Sequence, residues 1–137
     1  MNRIKFYGSI QIGLPSQGAP KGARGRRIVL PVTVVRNRIH TLIGCGVTFG
    51  HGGGIVGRIT KAAVKGLWMR FEGELFMDVD EPERFRFSYE INSAHIASFA
   101  AKHVWRIRKF DRFSAMALVR EPVMPAHRSS RMRVRTS

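Results

Sequence analysis

The sequence predicts a mainly β protein with one or two helices, folded as an antiparallel, β-barrel-like domain. Three observations carry this. Apolar and polar residues alternate along much of the first two thirds of the chain, the pattern of half-buried strands. Glycine and proline punctuate the sequence between the alternating runs, as turns require. Only the window of about Ser93–His103 repeats apolar residues at convincing helical spacing. With 137 residues the chain has room for one domain and one core. That domain is placed at residues 1–122, with a basic loop at 13–26; residues 123–137 read as a basic, flexible C-terminal arm.

Arg3–Ile12 reads as a strand with Ile4, Phe6, Ile10 and Ile12 facing inward around Gly8. Gly13–Arg26 carries Pro15, Gly18, Pro20, Gly22 and Gly25 beside Lys21, Arg24 and Arg26, and reads as a mobile loop. Arg27–Val35 and Ile39–Phe49 are rich in β-branched residues and read as two strands broken at Asn37. The glycine loop Gly50-His51-Gly52-Gly53-Gly54 leads into a short strand, Ile55–Thr60. In Gly66–Phe76, Leu67, Met69 and Phe71 alternate with Trp68, Arg70 and Glu72. An acidic turn around Asp78–Pro82 precedes Arg84–Ile91, where Phe85, Phe87, Tyr89 and Ile91 share one face and Arg84, Arg86, Ser88 and Glu90 the other. Asn92 is a cap for the helix expected at Ser93–His103, with Ile96, Phe99 and Ala100 as its core stripe. Strand character returns at Trp105–Phe110 and Phe113–Val119, and Pro122 and Pro125 end regular structure.

Charge is unevenly spread. Lys and Arg total 24 against nine acids, a formal net charge of +15, yet residues 1–71 contain no carboxylate. Seven of the nine acids fall at 72–90. Such a field attracts nucleic acid, acidic protein surfaces or anionic membranes, or serves solubility alone. The cations read as the binding set are Lys21, Arg24, Arg26 and Arg27 in the loop region and Arg128, Arg131, Arg133 and Arg135 in the arm. Trp68, Trp105, Phe110 and Phe113, interleaved with Arg70, Arg106, Arg108 and Arg112, read either as core or as a stacking platform for single strands. No apolar run approaches the roughly 20 residues of a membrane span. The single cysteine, Cys45, excludes an internal disulfide framework. A soluble protein of a reducing compartment, without membrane, metal or cofactor, is expected.

Three segments, in order, resemble the landmarks of the phage prohead (capsid-maturation) serine proteases, whose fold is like that of the herpesvirus protease. The first is Phe49-Gly50-His51, followed by Ile55-Val56-Gly57-Arg58-Ile59 and then Gly66 to Leu75. The second is Phe87-Ser88-Tyr89-Glu90-Ile91, and the third runs from Ala117-Leu118-Val119 to Pro125. The resemblance covers about residues 1–126. It implies His51 as general base, Ser88 as nucleophile, and a peptidase acting on scaffold or capsid-protein segments in the host cytoplasm, inside the prohead. A serine hydroxyl attacks a carbonyl poorly until a nearby base takes its proton, so the two side chains must meet within hydrogen-bond reach.

The chain departs from the family pattern at two places. The acidic third member would fall on Ala115, with Ala117 replacing a serine, and only Asp78–Phe85 stands where the family inserts a helix. Asp111, His103 or His95 is then left to orient His51. The alternative from another class is a non-enzymatic basic β-barrel that binds nucleic acid or the capsid interior, alone or as a homo-oligomer. His51-Gly52-Gly53-Gly54 is also similar to the oxyanion loop of esterases, but no Gly-x-Ser-x-Gly elbow accompanies it. No Gly-Lys-Ser/Thr follows these glycines either, so a phosphate loop is excluded.

Overall fold

The computed structural model describes residues 4–20, 23–101 and 104–136. Strands make up 52% of it and helical turns 11%, so the mainly β expectation holds. Ten strands occur among the described residues: β1 (Ile4–Gln11), β2 (Arg27–Val29), β3 (Gly46–Phe49), β4 (Ile55–Lys65), β5 (Trp68–Leu75), β6 (Phe85–Asn92), β7 (His95–Ala101), β8 (Val104–Lys109), β9 (Arg112–Arg120) and β10 (Arg133–Thr136). Seven form one curled half-barrel sheet in the order β10-β1-β5-β4-β3-β9-β6, and β2-β8-β7 form a second. All pairings are antiparallel except β3 with β9 and β2 with β8.

The alternation read from the sequence sets what the sheet buries. Phe6 and Ile10 of β1, Met69, Phe71 and Leu75 of β5, and Phe85 and Phe87 of β6 all point into one core. Phe87 stacks on Phe6 at 6.0 Å and meets Phe71 edge-on at 4.8 Å. On the outer face the acids that cluster in sequence are dispersed among cations. Glu74 lies between Lys5 and Arg58 across the ladder, and Glu72 between Tyr7 and Lys61. Both acids are ion-paired to their β4 neighbours, at 3.5 and 3.3 Å.

Four expectations are corrected. The β-branched run after Pro31 is not a strand but a short helix, α1 (Val32–Arg38), continued by a 3-10 turn at Ile39–Leu42. Burial overrides propensity here: Val35 is fully buried, Val32 and Val34 pack on the core, and Arg36 and Arg38 suit the helix C-terminus. Conversely, the helix expected at Ser93–His103 is absent. Ser93 takes a left-handed turn, and β7 pairs antiparallel with β8 through several register shifts. Ile96, which was to begin the core stripe, is 44% exposed. The loop at 13–26 is partly tied down: Ser16 and Ala23 are buried, and Ser16 Oγ accepts from Ile28 N–H at 3.0 Å.

The C-terminal segment is no free arm. Residues 128–132 fill the seam between β1 and β6. On one side Gln11 N–H donates to Arg128 O, and Ser130 N–H to Ser9 O. On the other, Phe87 N–H donates to Ser129 Oγ at 3.0 Å, and Met132 N–H to Phe85 O. His127, Ser129 and Met132 are buried, and β10 then pairs with β1. No described helix is long and apolar enough to cross a membrane.

Candidate active site

His51 sits in the turn between β3 and β4, and local chemistry fixes that turn. Gly50 N–H donates to Leu118 O at 2.9 Å, anchoring the turn to β9, and Thr48 Oγ1 donates to Gly50 O. Gly50 has φ +67°, a conformation that favours glycine. A Cβ at Gly53 would lie 1.8 Å from Phe49 O, so only glycine fits there.

Ser88 and Glu90 are two residues apart on β6 and therefore project from the same face. The imidazole of His51 reaches both. Its Nε2 is 2.9 Å from Ser88 Oγ, and its Nδ1 is 3.5 Å from Glu90 Oε2, an ion-pair separation. With Nδ1 protonated and facing the carboxylate, Nε2 is left to accept the serine proton. Ala117 and Ala115 lie directly opposite Ser88 and Glu90 on β9. Their short side chains leave room over the ladder for a ring. The site is open, with His51 44% and Glu90 35% exposed.

The structure thus brings together the two residues expected to do the chemistry. The expected third members do not join them. Asp111 is an exposed turn residue bonded through its N–H to Asn92 O, four residues or roughly 13 Å along β6 from Ser88. His95 belongs to the second sheet, paired with Lys109. His103 lies outside the described residues, as does Lys21. Glu90 is the carboxylate that faces His51 Nδ1 instead. The signal was present in the alternation, which puts Glu90 on the polar face with Ser88, two residues away.

Next to Ser88 on β6, Tyr89 points inward and its hydroxyl donates to His127 Nε2 at 2.6 Å. Burial pushes the phenol above its ordinary value and pulls the His127 imidazole down to about 4, against a hydrogen bond with the Gln11 backbone. This pair is structural. Cys45 is half-buried, its Sγ 3.2 Å from Thr41 O and 3.3 Å from Phe113 O, and burial raises its thiol further from ionisation. It offers no competing nucleophile.

The expected cationic set is scattered. Arg24, Arg128, Arg133 and Arg135 are exposed, and Arg131 lies 3.7 Å from Glu121. Arg26 stacks over Trp105 at 4.5 Å, and Arg27 donates to Ser16 O. Phe110 and Phe113 are buried and pack edge-on at 4.9 Å, so the aromatic residues form no stacking platform there.

No protein-family model, curated protein or solved structure matches the chain.

Proposed function

We propose that the chain is a serine hydrolase of the Ser–His–Glu type, cleaving peptide bonds in scaffold or capsid-protein segments during phage head assembly. The observation that carries the hydrolase reading is one imidazole bridging a serine hydroxyl at 2.9 Å and a carboxylate at 3.5 Å. The choice of substrate rests on the resemblance of the flanking motifs to prohead proteases.

In this reading Ser88 Oγ attacks the substrate carbonyl carbon as its proton passes to His51 Nε2. Glu90 orients the ring and stabilises the imidazolium that forms. Collapse of the tetrahedral adduct breaks the C–N bond, and the leaving amine takes the proton from Nε2. Water, deprotonated by the same nitrogen, then releases the acyl group from Ser88. The carboxylate and ring are part-exposed, so orientation outweighs charge stabilisation in what Glu90 supplies.

The test is labelling of the full chain by a serine-directed fluorophosphonate. Wild type is expected to label at one site, and Ser88→Ala and His51→Ala to lose it while folding normally. Labelling that survives Ser88→Ala would refute the assignment.

The exposed arginines support a docking role beside the catalytic one, for acidic segments of a scaffold or capsid partner. Binding of an acidic peptide is expected to weaken steeply as salt rises. Equal or tighter salt-sensitive binding of DNA, with no labelling, would favour a non-enzymatic nucleic-acid-binding barrel instead.

A further inference from the structure

Where the end of α1 meets the end of β8 lies a cavity of about 290 Å³, lined by Val34, Asn37, Arg38, Arg108, Lys109 and Phe110. Its walls come from distant parts of the sequence. Arg38 is the last residue of α1 and Lys109 the last of β8. Alternation along β8 buries Ile107 and leaves Arg108 exposed. Phe110 belongs to the core and Val34 packs against it, so these two supply the apolar part of the lining.

One guanidinium is held there without being neutralised. Arg38 Nε donates to Phe110 O at 3.3 Å, and Nη1 to Asn37 O at 3.4 Å. The peptide that carries Phe110 O is itself fixed from β6, because Asp111 N–H donates to Asn92 O at 2.9 Å. Both acceptors are uncharged carbonyls, so the positive charge of Arg38 is left uncompensated and donors remain on its fork. Among the described residues, none of Arg38, Arg108 and Lys109 is ion-paired, and Asp111 lies outside the lining. Three like charges around one small concavity repel one another, and a bound anion relieves that repulsion.

We propose that this cavity binds a phosphate group, free or as the monoester of a small organic molecule. Two guanidinium forks match phosphate oxygens bidentately, and the lysine adds a point charge. A monoester carries roughly −1.5 to −2 charges at neutral pH, enough to offset most of the three cations. The volume stands near the lower end of ligand sites, about 300 Å³, which suits a small molecule. A nucleic-acid strand calls instead for cations that track its backbone along a groove. The site is independent of the hydrolase chemistry: Asn92, at this end of β6, is four residues or about 13 Å from Ser88.

Isothermal titration of the full-length protein tests it, with inorganic phosphate, phenyl phosphate and acetate as probes in about 0.15 M NaCl to screen diffuse attraction. One equivalent of a phosphate probe is expected to bind at least 10-fold more tightly than acetate. Arg108→Gln, at an exposed position, should weaken that binding at least 10-fold while melting at the wild-type temperature. Lys5→Gln, the same loss of charge on the outer face of β1, should change it less than 2-fold. Arg38→Lys, which keeps the charge and loses the fork, should weaken it several-fold. Tighter binding of phenyl phosphate assigns the source as an organic monoester; tighter binding of inorganic phosphate assigns the free ion. Acetate binding as tight as phosphate, no saturable phosphate binding, or equal effects of Arg108→Gln and Lys5→Gln each overturn the site. A single-stranded oligonucleotide that binds more tightly than either phosphate and depends on Arg108 overturns it in favour of a nucleic-acid surface.

Discussion

Glu90 stands directly opposite Ala115 across the β6–β9 ladder. Opposed residues on an antiparallel pair share a face, with their Cβ atoms about 5 Å apart. The position at which the prohead-protease pattern would supply an acid is thus next to the one that supplies it here. A carboxylate placed at 115 is therefore expected to approach the side of the imidazole that Glu90 faces.

That relationship makes a two-step prediction. Glu90→Ala is expected to lower peptide hydrolysis by on the order of 10³- to 10⁴-fold, as loss of the acidic member does in other triads. Adding Ala115→Glu to that variant should recover at least 10-fold of the loss. Steady-state kinetics of the two variants decide it; no recovery would mean that residue 115 does not face the ring.

The turn that aims His51 predicts a second outcome. Gly53→Ala brings a Cβ against Phe49 O and must shift the turn. A displacement of about 1 Å at a catalytic group costs on the order of 10²-fold. We expect kcat to fall by about that factor while the melting temperature changes little, because residues 52–54 are exposed. Comparable losses in stability and activity would contradict this.

Closure of the seam predicts a third. Ser129→Ala removes the acceptor of the Phe87 N–H, a bond that is buried. Leaving such a donor unpaired costs about 1–3 kcal/mol, and Met132→Ala should cost about 2–5 kcal/mol through the cavity it opens. Urea denaturation measures both. If either variant is as stable as wild type, residues 128–132 do not hold the seam between β1 and β6 together.

A fourth concerns acid. His127 titrates at about 4 in the fold against 6.5 for a free imidazole. Between those values the unfolded chain binds a proton that the folded chain refuses, so stability is present above the higher value and is lost as pH falls toward the lower. The slope attributable to this group is at most about 1.4 kcal/mol per pH unit. Denaturation at pH 6.5 and pH 4.5 should show wild type losing more stability than His127→Gln. Parallel losses would show that His127 is not the group responsible.

What the sequence discloses here follows from which forces are local. Period-two alternation in 4–11, 68–75 and 85–91 reports burial directly, because successive side chains fall on opposite faces, and those strands lie where it places them. The same alternation sets Ser88 and Glu90 on one face, and only the separation of His51 from both in sequence hides their meeting. Val32–Arg38 misleads because β-branched residues in a short helix that packs through only a few valines look like a strand. Residues 95–101 mislead in the opposite sense: apolar residues at 96, 99 and 100 fit a helical stripe, yet the segment pairs with β8. The seam was invisible because its partners, Ser9 and Phe87, are more than 40 residues away from 129–130.

Strand β6 has β9 on one flank and residues 129–132 on the other. The stave bearing Ser88 therefore gains its second neighbour only from a stretch synthesised some 40 residues later. On the ribosome, a nascent chain that has not yet extruded that stretch carries Ser88 on an unfinished edge, so β6 gains its second flank only after translation has passed it.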